Sequence, residues 1–238
     1  MFNGDFVFAI VPARGGSKGL PGKNLMKING MTLIETAVRS AVDPMMHQGN
    51  TVDVVLVSSD DDAILAEAKR VGAINHRRDE VAASDDATAG DVIRDFLDNA
   101  DVSIDPSEDP WILYLQPTSP ARHWGHVEAA FELLRNHPEA KALVSVAKPD
   151  KSPYWSFTIG REDGRLHPLF PEAFSVNRQE LDDAYLPNGA IYLFKLSEFL
   201  KTGRFPMPGA VPFVMSTADS VDIDTQADFD RAKALLER

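Results

Sequence analysis

Residues Val11 to Asn24 read VPARGGSKGLPGKN. The stretch holds four glycines, two prolines, one arginine and two lysines, and no acid. It follows directly on a short apolar run, Phe6 to Val11. An apolar run that opens into a basic glycine loop reads as a buried strand leaving a sheet edge beside a phosphate group. Glycines let the backbone approach a ligand and let successive N–H groups converge on oxygens. Arg14 offers a bidentate fork, while Lys18 and Lys23 act as point charges. Neither common phosphate loop fits. A Walker loop needs glycine where Ser17 stands, and Ser or Thr where Asn24 stands. The dinucleotide pattern G-x-G-x-x-G is absent, because the glycines fall at 15, 16, 19 and 22.

Outward from this loop, further buried strands are read at Val54–Ser58, Trp111–Gln116 and Ala142–Ala147, each bounded by turn residues. Between them, apolar residues recur at helical spacing over Thr32–Val42, Asp61–Val71, Ala87–Leu97 and Val127–Leu134. Ser59–Asp62 has capping-box spacing, which makes Ser59 the expected cap of the second of these. Strands alternating with helices predict an α/β fold, a mostly parallel sheet with helices on both faces. The alternation stops near Pro149. Asp150–Leu186 carries scattered aromatics and a turn signal at Glu162-Asp163-Gly164, with Trp155–Ile159 as one arm of a hairpin. It reads as an inserted lobe (150–186) within a single domain spanning 1–238. Gly189–Phe194 and Val211–Met215 return to strand character, and Gln226–Leu236 is a terminal amphipathic helix.

The composition is 44% hydrophobic and 25% charged, ordinary for a soluble chain of 238 residues. There is no cysteine, which excludes disulfides, thiolate zinc sites and a cysteine nucleophile. The six histidines do not fall at metal-ligand spacing. No apolar run approaches a membrane span or a signal peptide, so a cytoplasmic location is expected, with no membrane partner. A net charge of −12 argues against nucleic acid as a partner. Yet Phe6 to Ile34 contains no Asp or Glu and carries Arg14, Lys18, Lys23 and Lys27. A positive island in an acidic chain points to a small anionic ligand. Lys27 itself reads as a solvated loop end.

Asp222-Ile223-Asp224 is a second focus. In extended backbone, residues i and i+2 point to the same side. Two carboxylates on one side call for a cation, and magnesium prefers such hard oxygens together with phosphate. The other reading is an acid cluster before a helix capped by Thr225.

In this order along the chain, PARGGSKGLPGKN, VSSDDDAILAEAKRVGA, RRDEVAASDDATAGDVI, LQPTSPAR, RQELDDAYLPNGAIY and SVDIDTQADF resemble the blocks of the CMP-sialic acid synthetases, the acylneuraminate cytidylyltransferases. The resemblance covers most of the chain, with Asp150–Val176 the least distinctive part. It implies a Rossmann-like nucleotidyltransferase that joins CTP to a nonulosonic, sialic acid-like sugar, giving the CMP-sugar and pyrophosphate. It implies Arg14, Gly15, Lys18, Lys23, Asn24 and Arg77 at the nucleotide, with Arg78 the lesser of that pair. It implies Asp222 and Asp224 at a magnesium ion, and Gln116, Ser119, Arg178, Gln179, Asn188 and Gly189 at the sugar. Arg14, Lys23 and the two aspartates would carry the catalysis. The lobe would form a homodimer and lend residues to the neighbouring site.

The chain departs from the family pattern twice. Counted from Arg77, the third block has one residue more before Asp85 than the usual R-x-x-E-L-A-x-D-x-A. Leu186 stands where sialic acid members often have a basic residue, leaving Lys148 and Lys151 as candidates for the sugar carboxylate. Arg122 reads equally as a surface residue at a helix start. The same chemistry on pseudaminate or 3-deoxy-manno-octulosonate is an alternative. A non-catalytic nucleotide or sugar sensor on the same fold is an alternative of another class.

Overall fold

The computed structural model describes residues 1–42, 51–100 and 105–237. Its centre is a seven-stranded sheet. The strands are β1 (Val7–Pro12), β2 (Val54–Ser59), β3 (Ile74–Arg77), β4 (Trp111–Tyr114), β5 (Ala142–Ala147), β6 (Leu186–Lys195) and β7 (Val211–Val214). Their spatial order is β7-β5-β6-β4-β1-β2-β3. β6 runs antiparallel to both neighbours, and every other pair is parallel. The helices are α1 (Leu33–Ala41), α2 (Asp62–Arg70), α3 (Glu80–Ala83), α4 (Ala89–Asn99), α5 (Trp124–Arg135), α6 (Leu196–Thr202) and α7 (Gln226–Leu236).

β1 is apolar at every position because both of its faces are covered. Val7, Ala9 and Val11 join a core with Ile34 and Ala37 of α1, Ala68 of α2 and Phe131 of α5. Phe8 and Ile10 point the other way, into a core with Ile93 and Phe96 of α4 and Phe199 of α6. A third, smaller cluster decides where the glycine loop lies. Leu20 of the loop packs with Ile223 and with Phe229 and Ala232 of α7. This apolar contact brings residues 19–23 against the Asp222–Asp224 segment from two hundred positions away in sequence.

The helix starts are chemically well defined. Thr88 and Thr225 each form a reciprocal capping box, with Asp91 and Asp228 respectively. The cap of α2 is Asp61, not Ser59: the Asp61 carboxylate accepts from the Ile64 N–H, and Ser59 Oγ accepts from the Asp61 N–H. In the lobe, Phe157–Ile159 pairs antiparallel with Leu166–Pro168 across the Glu162-Asp163-Gly164 turn. β3 escapes the periodicity reading because it is short, lies at the sheet edge and carries Asn, His and Arg instead of a β-branched run.

The strand order reverses at β1. The chain runs outward through β2 and β3 on one side, and returns to β4 on the other. In open α/β sheets the crevice at such a switch point, beyond the carboxyl ends of the strands, is where ligands bind. The glycine loop leaves β1 there, and Gln116 follows β4 there.

Candidate active site

Two clefts open at this edge and meet at Gln116, which lines both. The first encloses about 520 Å³. Its cations are Arg14, Lys18, Lys23 and Arg78, and Asn24 stands among them. The rest of its wall includes Ala87, Thr88, Ala89, Val92 and Tyr114. The loop is held from within. The buried Asn24 side chain donates to the Arg14 carbonyl at 3.0 Å. Lys23 Nζ donates to the Ile223 carbonyl at 2.7 Å and meets Asp224 Oδ1 at 3.1 Å. Asp85 places one oxygen 3.1 Å from Arg14 Nη1 and the other 3.0 Å from Lys18 Nζ.

Asp222 and Asp224 flank one apolar residue. Ile223 between them is buried, and its N–H donates to the Thr118 carbonyl at 2.9 Å. The two carboxylates therefore both turn away from the core. Asp224 lines the first cleft and Asp222 the second. Desolvation pushes the Asp222 carboxyl above its ordinary pKa, and the Asp224 charge adds to the rise; the Thr118 hydroxyl and Lys23 pull it down. Neither acid is the cap of α7, a role taken by Thr225 and Asp228. Among the described residues no three or more His, Asp or Glu side chains cluster as a metal cage. A cation here would need its remaining ligands from elsewhere, as magnesium takes them from phosphate and water.

The second cleft, about 450 Å³, is lined by Ala147, Lys148, Pro149, Asp150, Leu186–Gly189, Tyr192, Thr217, Ser220 and Asp222 besides Gln116. Asn188 is fixed from four directions. Its amide donates to Ser220 Oγ at 2.9 Å and towards Met215 Sδ, and its carbonyl accepts from Ser145 Oγ at 2.6 Å and from the Ala190 N–H. Gly189 has φ +77°, and a Cβ there would also collide with the Gln116 amide oxygen. Lys148 lines this cleft and meets Asp183 at 2.6 Å; Lys151 does not line it.

The profile of the cytidylyltransferase family matches residues 8–235. The chain belongs to the cytidylyltransferase family. It is 29% identical to the N-acylneuraminate cytidylyltransferase of Streptococcus agalactiae serotype V over 92% of its own length and 51% of that protein. It is 28% identical to the N-acylneuraminate cytidylyltransferase of Escherichia coli O18:K1:H7 over 98% of its length and 52% of that protein. The chain thus spans about half the length of these curated relatives. With the CMP-N,N'-diacetyllegionaminic acid synthase of Legionella pneumophila it shares 29% identity over 97% of this chain and 96% of that protein. In fold it resembles a CMP:2-keto-3-deoxy-manno-octonic acid synthetase complexed with CTP, with a TM-score of 0.67, 18% identity and 98% of each chain covered.

Several positions in this cytidylyltransferase-family chain differ from the sequence reading. Arg78, not Arg77, lines the first cleft. Arg77 turns outward and pairs with Asp62 and the Asp60 carbonyl. Counted from Arg78 the spacing to Asp85 and Ala87 matches the family block, while Glu80, Val81 and Ala82 each fall one position early. Gly15 lies outside the cleft wall. Its N–H donates to Asp60 Oδ1 at 2.9 Å, and a Cβ would strike Asp61, so it is the seam between the loop and the start of α2. Ser119 is 1% exposed and lines neither cleft. Gln179 lies on an exposed turn outside both clefts, and the side chain of Arg178 lies outside the described residues. Arg122 is not a surface residue but is fully buried. Thr118, Tyr114 and Tyr192 line the clefts and went unread, because an aromatic within an apolar strand or a threonine in the loop after one has no distinctive spacing.

Proposed function

We propose that the chain transfers a cytidylyl group from CTP to a nonulosonic acid of the N-acylneuraminate or diacetyllegionaminate kind. The sugar's anomeric oxygen bonds to the α-phosphorus, the bond to the β-phosphate oxygen breaks, and pyrophosphate leaves. One observation carries the reading. A cation-lined cleft and a polar cleft meet at Gln116, with Asp224 on one side of the join and Asp222 on the other. That is the arrangement needed to hold a triphosphate and an acceptor alcohol with the reacting atoms adjacent.

Arg14, Lys18 and Lys23 would neutralise the triphosphate, and Asn24 would keep the Arg14 backbone in place. Arg78, Val92 and Tyr114 would receive the base. Gln116, Asn188 and Gly189 would shape the acceptor site, and Lys148 would meet the sugar carboxylate in the place that Leu186 leaves uncharged. The donor set of Asp222 and Asp224 fits magnesium: two hard carboxylates near enough that the Asp224 charge adds to the desolvation that raises the Asp222 pKa. Magnesium bound there would offset the charge that builds on the phosphate oxygens. The apolar surface of the lobe would pack against a second copy of the chain. No helix among the described residues is long and apolar enough to cross a membrane. A CTP-consuming reaction would suit a cytoplasmic location.

Pyrophosphate release with CTP and magnesium tests the proposal, offering N-acetylneuraminate, legionaminate, pseudaminate and 3-deoxy-manno-octulosonate in parallel. One of the first two is expected to win, with release lost on removing magnesium. Asp224→Ala is expected to cut turnover at least about 100-fold while CTP still binds. Preference for either of the other two sugars would move the substrate class. CTP binding without release from any sugar would favour the sensor reading.

A further inference from the structure

Beneath the first cleft lies a row of buried polar side chains that neither phosphate nor sugar explains. Arg78 leaves the end of β3 and is only 8% exposed, yet it reaches the cleft wall. Its Nε donates to Ser58 Oγ at 2.9 Å. Ser58 Oγ lies 3.0 Å from His76 Nδ1. His76 Nε2 and Asp95 Oδ2 lie 3.3 Å apart as a buried contact, and among the described residues neither atom has a hydrogen-bonding partner. Asp95 Oδ1 accepts from Asn99 Nδ2 at 2.8 Å and from the Asp79 N–H at 3.4 Å. Ser58, His76 and Asp95 are all buried.

An arginine only donates, so Ser58 Oγ accepts from Arg78 Nε. A neutral imidazole with its proton on Nε2, the side of Asp95, would leave Nδ1 to accept the Ser58 proton. Desolvation keeps His76 below its ordinary pKa, consistent with a neutral ring acting as a relay. The architecture supports it. Parallel pairing sets Ser58 of β2 opposite His76 of β3, and α4 brings Asp95 over them. The two-residue period of an extended chain puts His76 and Arg78 on the inner side and Arg77 on the outer.

We propose that Ser58, His76 and Asp95 are positioning residues that hold the Arg78 guanidinium as a fixed donor in the nucleotide cleft, and that this fixation discriminates a cytosine from a uracil base. The proposal rests on the reading of the first cleft as the nucleotide site. The pairing edge of cytosine presents N3 as an acceptor next to its carbonyl oxygen, whereas uracil presents an N3–H. A donor that cannot swing away is satisfied by the first and opposed by the second. Sites built to pair with one arrangement reject the other strongly because the mismatch leaves buried groups unpaired.

The test compares Ser58→Ala, His76→Asn, His76→Leu and Lys23→Ala in the full chain, reading KM for CTP, KM for the sugar, kcat and the CTP/UTP ratio of kcat/KM. Ser58→Ala removes a single oxygen. It is expected to raise the CTP KM about tenfold and lower the CTP/UTP ratio by a similar factor, with kcat and the sugar KM within about twofold. His76→Asn keeps an acceptor for the Ser58 hydroxyl and is expected to recover most of what His76→Leu loses. If Lys23→Ala weakens CTP but Ser58→Ala leaves both the CTP KM and the ratio unchanged, the relay is overturned and the cleft reading stands. Equal loss in His76→Asn and His76→Leu, with the sugar KM moving in parallel, would reduce the row to packing and also overturn it. If neither Lys23→Ala nor Ser58→Ala alters CTP binding, the cleft reading itself falls.

Discussion

Arg122 lies at the join of the two clefts without forming either wall of the join. It is 1% exposed, its Nε donates to Ser40 Oγ, and its Nη1 donates to the Gln116 and Ala190 carbonyls at 2.9 and 2.8 Å. Burial brings its pKa down to about 9, so the side chain is still a cation at neutral pH. The charge is spent on two carbonyl groups, one in the segment after β4 and one in β6, and it fixes how Gln116 faces Gly189. His76 makes a titration prediction at this same scale. Its pKa is lowered in the folded chain, so between its folded and unfolded values the unfolded state binds more protons. Stability is therefore full above the unfolded value of about 6.5 and falls as pH drops below it, by at most ~1.4 kcal/mol per pH unit for one proton. Thermal unfolding at pH 7.5 and 5.5 should show a smaller acid loss in His76→Asn than in the parent chain. Equal losses would remove His76 as the cause.

Among the elements, the glycine loop is the one whose conformation is set by a distant segment. A Cβ on Gly19 would collide with the Asp224 carbonyl oxygen, a backbone atom that cannot swing aside. Gly22, with φ +67°, has open space around it and needs glycine only for its left-handed backbone. Gly19→Ala should accordingly push the loop off the Asp222–Asp224 segment and separate Lys23 from it. The expected result is a loss of turnover of about tenfold or more with a change in melting temperature of only a few degrees, because the loop lies outside the main cores. Gly22→Ala should cost about 1 kcal/mol of backbone strain and much less activity. Both are read by steady-state kinetics beside thermal unfolding. A Gly19→Ala chain with unimpaired turnover would mean that the close approach does not serve the site.

For the whole molecule, the lobe carries apolar surface that nothing among the described residues covers. Ile159 is 71% and Leu166 65% exposed on one hairpin, with Trp155, Phe157 and Phe174, also exposed, in an aromatic cluster beside it. A patch of this kind marks an interaction surface. In sedimentation equilibrium the parent chain should have twice the monomer mass, and Ile159→Asp combined with Leu166→Asp should return it to monomer. A monomeric parent at micromolar concentration would remove the dimer proposal.

Much of this architecture was legible in the residue order, and for a definite reason. Buried parallel strands are continuous apolar runs, amphipathic helices repeat at 3.6 residues, and a glycine-rich basic loop after the first strand has few alternative uses. β1, β5 and α7 follow from local pattern within a residue or so. The alternation at Asp222, Ile223 and Asp224, exposed, buried and exposed, is legible as polar, apolar and polar residues in turn. What local pattern could not supply was orientation and partnership. Which of two adjacent arginines faces a cleft depends on the parity of an edge strand too polar to be read as one. That Arg122 is buried, that Asp85 lies between Arg14 and Lys18, and that Gly19 abuts Asp224 are contacts between segments far apart in the chain. Periodicity reports which side of an element is apolar, but only packing of the elements against one another decides which polar side chains are enclosed with it and what they meet there.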